Sequence, residues 1–256
     1  MTRGPLVLCG SGEFTRAMAE VDRGILADLG SRHARVAIVP TAAGLEDTPK
    51  SWIAMGVAHF TALGADPTGV MVLNRADAED PRHSAAIAGA DWIYFSGGKP
   101  GHLVESLAGT PFWSAVLARH REGAVLAGAS AGAMMLGSRT FHFPDGLDET
   151  GIPRRVATRD ALGLLPGILV APHFDAVPVE WWQSSADIWP EGHRMLGIDE
   201  DTAVVERARG WSVVGKGRAL VFRSLDDHDV HPSGALFDGI RVADGRAHLD
   251  STHARR

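Results

Sequence analysis

Short apolar runs alternate with segments of helical period along the first half of the chain. Pro5 to Cys9 is an apolar strand, stopped by Gly10, Ser11, Gly12 and Glu13. Phe14, Met18, Val21, Ile25 and Leu29 then recur at helical spacing, which predicts a helix over 14–29 ended by Gly30. The same reading gives strands at Arg35 to Pro40, Gly69 to Leu73, Asp91 to Phe95 and Ala124 to Ala127. Helices are expected at Pro49 to Leu63, Pro81 to Ala88, Leu103 to Leu107 and Pro111 to His120. Strands that alternate with helices imply an α/β fold: three layers around a mostly parallel sheet covered on both faces. In such sheets active sites lie beyond the carboxyl ends of the strands. Three glycine-bearing turns fall at such ends, at Gly10 and Gly12, at Gly97 and Gly98, and from Gly128 to Gly132; Thr41 also follows a strand.

The second half is less regular. Residues 140–159 read as loop, and 167–171 as a strand ending in Pro172, His173 and Phe174. Residues 179–188 carry Trp181 and Trp182 and read as helix. Met195 to Ile198 is a strand running into Asp199, Glu200 and Asp201. Ala203 to Glu206, Trp211 to Val214 and Arg218 to Arg223 look like short antiparallel strands. No repeat or linker divides the chain, so one domain over 1–256 is expected, with roughly the last 15 residues a loose tail.

Composition changes this picture little. Apolar content of 45% and charged content of 22% are those of an ordinary globular protein. A net charge of −6 without like-charge runs argues against nucleic acid as a partner. The single cysteine, Cys9, excludes an internal disulfide and a zinc site of several cysteines. The N-terminal apolar run is too short for a signal peptide, and no apolar segment reaches the ~18 residues of a membrane span. A soluble cytoplasmic protein is expected, with neither membrane partner nor cofactor; a homodimer is compatible with this reading.

Chemistry enters at Gly128-Ala129-Ser130-Ala131-Gly132. A Gly-x-Ser-x-Gly turn between strand and helix puts a serine hydroxyl at the tip of a strained corner. The helix start beyond it offers unpaired N–H groups that suit an oxyanion. A serine nucleophile needs a base, and the base needs an orienting carboxylate. Among the 12 histidines, His173 directly follows a strand and should share the sheet edge of Ser130. Asp199 and Glu200 also follow a strand, and either could be the carboxylate. Ser130, Asp199 and His228 would instead give the chain order of an α/β-hydrolase esterase. His228, however, lies in the polar stretch Asp226 to His231, which reads as a solvated turn, with a faint hint of a metal site. His59 and His102 lie on expected helices and read as structural.

Four stretches together resemble peptidase family S51, which includes α-aspartyl dipeptidase and cyanophycinase. They are Val36 to Ala42, Ile93 to Gly98, Gly128 to Ala133, and Ala171 to Phe174 with Gly197 to Ala203. The resemblance spans roughly residues 5–222. It implies a class I glutamine amidotransferase-like (flavodoxin-like) fold with Ser130 in place of the usual cysteine. It further implies Ser130 as nucleophile, His173 as general base, Glu200 as orienting acid, and an oxyanion hole from the N–H groups of Gly98 and Ala131. The activity implied is serine hydrolysis of a peptide, isopeptide or related amide bond of a small substrate.

Family members cleave after aspartyl groups, so a cation is expected near the scissile bond. Substrate-facing candidates are Lys99, Gly97, Arg159 and Trp182, with Lys99 foremost because it follows the oxyanion glycine. Here the chain departs from the family pattern: Lys99-Pro100-Gly101 stands where Asn or Asp and then a polar residue are usual. Trp181-Trp182-Gln183 also replaces the arginine cluster of cyanophycinase, which argues against a cyanophycin-type substrate. A dinucleotide site at Gly10 to Glu13 is disfavoured, because Thr15 holds the third glycine position and no acid ends the second strand. Those residues read instead as one wall of the cleft. A non-catalytic binding protein of the same fold is the remaining alternative.

Overall fold

The computed structural model describes residues 3–31, 33–146, 149, 154–178, 181 and 189–243. Seven helices are found among them: α1 (Ala19–Leu29), α2 (Pro49–Ala62), α3 (Arg75–Glu79), α4 (Pro81–Ala86), α5 (Pro100–Leu107), α6 (Pro111–Arg121) and α7 (Ala131–Met134). The strands fall into two sheets. The first sheet contains β1 (Leu6–Cys9), β2 (Arg35–Val39), β3 (Asp66–Gly69), β4 (Trp92–Phe95) and β5 (Val125–Ala129). The second contains β6 (Gly137–His142), β7 (Ala157–Asp160), β8 (Leu165–Ala171) and β9 (Arg194–Ile198). The chain then returns to the first sheet with β10 (Thr202–Glu206) and β11 (Trp211–Gly215). It crosses again with β12 (Arg218–Phe222) and β13 (His228–Pro232), and ends its described part with β14 (Leu236–Phe237) beside β11.

The first sheet runs β14-β11-β10-β1-β5-β4-β2-β3, with β1 to β5 mutually parallel and β10, β11 and β14 added antiparallel. The second runs β13-β12-β9-β8-β6-β7, with only β6, β8 and β9 parallel. This is the α/β, amidotransferase-like architecture expected, with a second sheet that the apolar pattern had not separated from the first.

Period-2 alternation divides the core. Val7 and Cys9 of β1, Val36 and Ile38 of β2, and Trp92 and Tyr94 of β4 face one side, against Met18, Val21 and Ile25 of α1 and its approach and Phe60 of α2. Leu6 and Leu8, Ala37 and Val39, and Ile93 and Phe95 face the other. There they join Leu103 and Leu107 of α5, Phe112 and Val116 of α6, and the inward residues Val170, Leu196, Ile198 and Val221 of the second sheet. Strands buried on both faces read as continuous apolar runs, which is why the parallel half was visible in the sequence. Among the described residues no helix is long and apolar enough to cross a membrane.

Several expectations are corrected. The first helix starts at Ala19 rather than Phe14, because Phe14 takes φ +65° in a turn that turns Glu13 inward. The third strand is Asp66–Gly69, starting opposite Arg35; Pro67 masked it, yet proline is tolerated on this edge strand. Val70 and Val72 beyond it remain buried. The helix expected over 81–88 is α4, which ends at Ala86; a further short helix, α3, precedes it, and the extended backbone of Asp80 between them caps α4. The stretch 140–159 is not all loop: β6 and β7 pair with each other there, with Thr140 and Phe141 buried. Of Asp226 to His231, Asp226 and Asp227 lie in the turn after β12, whereas His228 onward forms the edge strand β13, whose polar residues suit an exposed edge. The helix expected at 179–188 lies outside the described residues apart from Trp181, which packs against the outer core cluster of the second sheet. The tail, 244–256, lies outside them entirely.

His120, at the end of α6, is only 3% exposed. Its Nδ1 meets the Ala124 carbonyl at 3.1 Å, while its Nε2 has no hydrogen-bond partner among the described residues. Burial, helped by Arg3, pushes its pKa down to about 4. The unfolded chain, with a histidine pKa of about 6.5, therefore takes up this proton first, and native stability falls as pH drops from about 6.5 to 4. At roughly 1.4 kcal/mol per pKa unit the loss is about 3 kcal/mol. Urea unfolding of wild type and His120→Gln at pH 7 and pH 4 should show a shallower loss in the variant; equal losses would contradict this account.

Candidate active site

β5 carries the chain to Ser130 at a corner too tight for side chains on either flank. A Cβ on Gly128 would overlap the Gly132 backbone, and one on Gly132 would overlap the carbonyl of Phe95. Ser130 itself sits at φ +50°, ψ −116°, conformationally costly for a residue with a Cβ. Its N–H donates to the Cys9 carbonyl at 3.0 Å, and its own carbonyl accepts from Ala133 and Met134. The corner is thus pinned from both sides, and Ala131 opens α7 with an N–H free of any intrahelical partner.

His173 approaches from the second sheet. It follows β8, which pairs with β6 and β9, so it does not share the sheet edge of Ser130 as the sequence suggested. What joins them is backbone: the His173 N–H meets the Gly10 carbonyl at 3.3 Å, past the end of β1. His173 takes φ +53°, and this turn aims its ring. Nε2 lies 2.9 Å from Ser130 Oγ, and Nδ1 lies 2.7 Å from Glu200 Oε1. Glu200 stands in the connection from β9 to β10, where its N–H donates to Asp175 Oδ1 at 2.8 Å. The His173 and Glu200 side chains are 39% and 47% exposed, so the cleft is open on that side.

The two carboxylates left open by the sequence are now distinct. Asp199 is buried and accepts from the Arg218 N–H at 3.1 Å and from its Nε at 3.2 Å. Burial raises its pKa against the pull of Arg218. Glu200, not Asp199, reaches His173. The esterase arrangement is not assembled: His228 lies on edge strand β13 stacked on Phe222, with ring centres 4.6 Å apart. The neighbouring Asp227 and Asp229 bind Arg223, which accounts for the acidic stretch that had hinted at a metal.

The loop after β4 forms the facing wall. A Cβ on Gly97 would lie 3.2 Å from Ser130 Cβ, so this residue rests directly on the serine. Gly98 has φ +138°, and a Cβ there would come within 2.5 Å of the Ala42 backbone. Only glycine fits. The Lys99 N–H donates to the Ala42 carbonyl at 2.8 Å, tying this loop to the turn Thr41–Ala43. Thr41 is structural, its hydroxyl donating to the Val72 carbonyl. The Lys99 side chain is exposed at the start of α5 and forms no ion pair among the described residues. Arg159 lies beside Gly101 but is paired with Glu105 at 2.7 Å. Trp182 lies outside the described residues. His59 and His102 are structural, bonded to Asp22 and to the Leu73 carbonyl.

Sequence reasoning placed Glu13 only in the cleft wall and missed Asp175. Glu13 is buried and its Oε1 accepts the Gly97 N–H at 2.8 Å. The available signals were an acid at the end of a buried strand and another two residues after His173.

Fold and site together define a hydrolase of the serine peptidase or amidohydrolase class. The chain belongs to peptidase family S51, whose sequence model matches residues 6–213. It is similar to a cyanophycinase of Nostoc sp. (strain PCC 7120 / SAG 25.82 / UTEX 2576), with 26% identity over 252 residues, 97% of this chain and 83% of the relative. A cyanophycinase of Synechococcus elongatus is 29% identical over 208 residues, 78% of this chain and 61% of the relative. Among solved structures, a peptidase from an acI-B1 Actinobacterium superposes with a TM-score of 0.80 at 29% identity, covering 93% of this chain and 97% of that one. A putative peptidase E from Listeria monocytogenes EGD-e shares the fold, with a TM-score of 0.58 at 18% identity over 84% of this chain and 98% of that one.

The strain at residue 130 can be measured. Glycine is normally less stable than alanine by roughly 0.5–1 kcal/mol, but a positive φ costs a Cβ-bearing residue about 1–3 kcal/mol. Ser130→Gly should therefore be more stable than Ser130→Ala by about 1 kcal/mol in urea unfolding. The opposite order would remove the strain argument.

Proposed function

We propose that this protein hydrolyses a peptide, isopeptide or related amide bond through an acyl-enzyme on Ser130. The observation that carries the proposal is the unbroken chain from Ser130 Oγ to His173 Nε2 and from His173 Nδ1 to Glu200 Oε1. His173 Nε2 takes the hydroxyl proton as Oγ attacks the carbonyl carbon. Glu200 holds the ring with Nδ1–H toward it and stabilises the imidazolium. The N–H groups of Gly98 and Ala131 receive the oxyanion. The imidazolium then gives its proton to the leaving nitrogen, the C–N bond breaks, and the amine departs. Water, deprotonated by His173, attacks the acyl carbon; the tetrahedral intermediate collapses, and Ser130 recovers its proton as the acid leaves.

The substrate side rests on Lys99. The family resemblance implies an acidic acyl group, and Lys99 stands exposed just past Gly98 with its charge unpaired among the described residues. We therefore assign Lys99 to the substrate carboxylate, with Arg159 secondary because Glu105 already occupies it.

A fluorophosphonate probe should label Ser130 in the wild type and not in Ser130→Ala. His173→Ala should slow labelling by ~10³-fold or more and Glu200→Gln by ~10²–10⁴-fold, whereas His228→Ala should leave it unchanged. A folded wild type that takes no label would sink the hydrolase reading, and labelling that survives His173→Ala would sink these roles.

The substrate assignment is tested by a screen of dipeptides and N-acyl amino acids with Asp, Asn, Glu or aromatic acyl sides. Lys99→Ala should raise KM for the Asp substrates about five- to tenfold, roughly 1 kcal/mol for a partly exposed charge pair, and leave neutral ones unaltered. An equal effect on both would argue against it.

A further inference from the structure

Glu13 has no part in the proton transfers described, yet it is a carboxylate only 5% exposed beside the reacting serine. It stands between Gly12 at φ +75° and Phe14 at φ +65°, in the turn that replaces the first helical turns expected from the sequence. That backbone turns its side chain across the end of β1 toward the loop after β4. Oε1 accepts the Gly97 N–H at 2.8 Å. The position of a Cβ on Gly97 would lie 2.9 Å from Glu13 Oε1 and 3.2 Å from Ser130 Cβ, so Glu13, Gly97 and Ser130 form one contiguous contact. Burying a carboxyl is costly, and an apolar side chain would fill this space more cheaply but leave the Gly97 N–H unpaired. Burial raises the Glu13 pKa, while the Gly97 bond and the nearby His173 lower it, so this acid is held by the loop it binds.

We propose that Glu13 is a positioning residue: by gripping the Gly97 N–H it fixes the Gly97-Gly98 peptide against Ser130 and so places the Gly98 N–H for the oxyanion. Gly97 spends its N–H on Glu13 and Lys99 spends its own on Ala42. The Gly98 N–H between them has no hydrogen-bond partner among the described residues, which leaves it available to an oxyanion on this reading. This inference rests on the hydrolase reading above.

The decisive comparison is between Glu13→Gln and Glu13→Asp. Gln keeps an acceptor oxygen at the same reach; Asp keeps the charge but withdraws it by one methylene. Fluorophosphonate labelling of Ser130 should stay within about threefold of wild type in Glu13→Gln. In Glu13→Asp the maximal labelling rate should fall ~10²-fold, the effect of one misplaced oxyanion donor, with the probe's binding constant unchanged. A folded Glu13→Asp that labels at the wild-type rate overturns the proposal, as does a Glu13→Gln as slow as Glu13→Asp, which would make charge rather than geometry the contribution. If Glu13→Asp does not fold, Glu13→Met, which fills the space without an acceptor, carries the same expectation. If neither folds, Glu13 serves the fold and the proposal fails. A wild type without label fails the hydrolase reading itself; labelling lost in Ser130→Ala but unchanged in Glu13→Asp fails this inference alone.

Discussion

At Gly10 the two sheets share a stretch of backbone. The Gly10 N–H donates to the Thr202 carbonyl at 2.9 Å and its carbonyl accepts the His173 N–H at 3.3 Å. One residue past β1 therefore holds both the start of β10 and the turn after β8. A Cβ here would overlap the Asp199 carbonyl, so the joint closes only on glycine. Everything in the cleft hangs from it. Ser130 is fixed to Cys9, the residue before, and Glu200 lies two residues before Thr202. Without this joint the two sheets would still have their shared apolar core, but His173 would have no fixed distance to Ser130.

Around the joint the backbone is strained in a concentrated way. Among the described residues four non-glycine residues have positive φ: Phe14, Ser130, His173 and Asp201. All four lie within two residues of a strand end, the Glu13 turn or the Glu200 connection, and none lies within a regular element. Each costs on the order of 1–3 kcal/mol. The surrounding core offsets this, since β1, β4 and β5 are buried on both faces. The rigid centre of the sheet thus holds side chains in directions that an isolated loop would not keep.

Of the parallel strands, β1, β2, β4 and β5 were readable because each is a largely apolar, buried run with a glycine or proline at or just past its end. Ser130 was readable for a related reason, since Gly128 and Gly132 mark a close approach of strand and helix. Glu200 over Asp199 came from family resemblance rather than from spacing, because adjacent residues after a strand point in opposite directions and the sequence does not say which. The second sheet stayed hidden because its short strands alternate between two sheets: β9 and β10 are separated by three residues yet lie in different ones. Local periodicity carries no information on which partner a strand chooses. β3 was displaced by Pro67, β7 by the polar pattern Ala157–Asp160, and β13 by its charges, all features of strands at sheet edges. Glu13 was the hardest to place, because its meaning depends on a contact 84 positions away.

The division of the cleft between two sheets also orders events in time. Ser130 and His173 are 43 positions apart, and His173 and Glu200 another 27. A chain emerging from the ribosome presents the serine corner, complete with β1, β4 and β5, well before β8 to β10 exist. On the proposed roles that serine is then an ordinary alcohol, with no base to take its proton. On those roles reactivity needs the later strands docked at Gly10, and a chain that ends before them lacks the base.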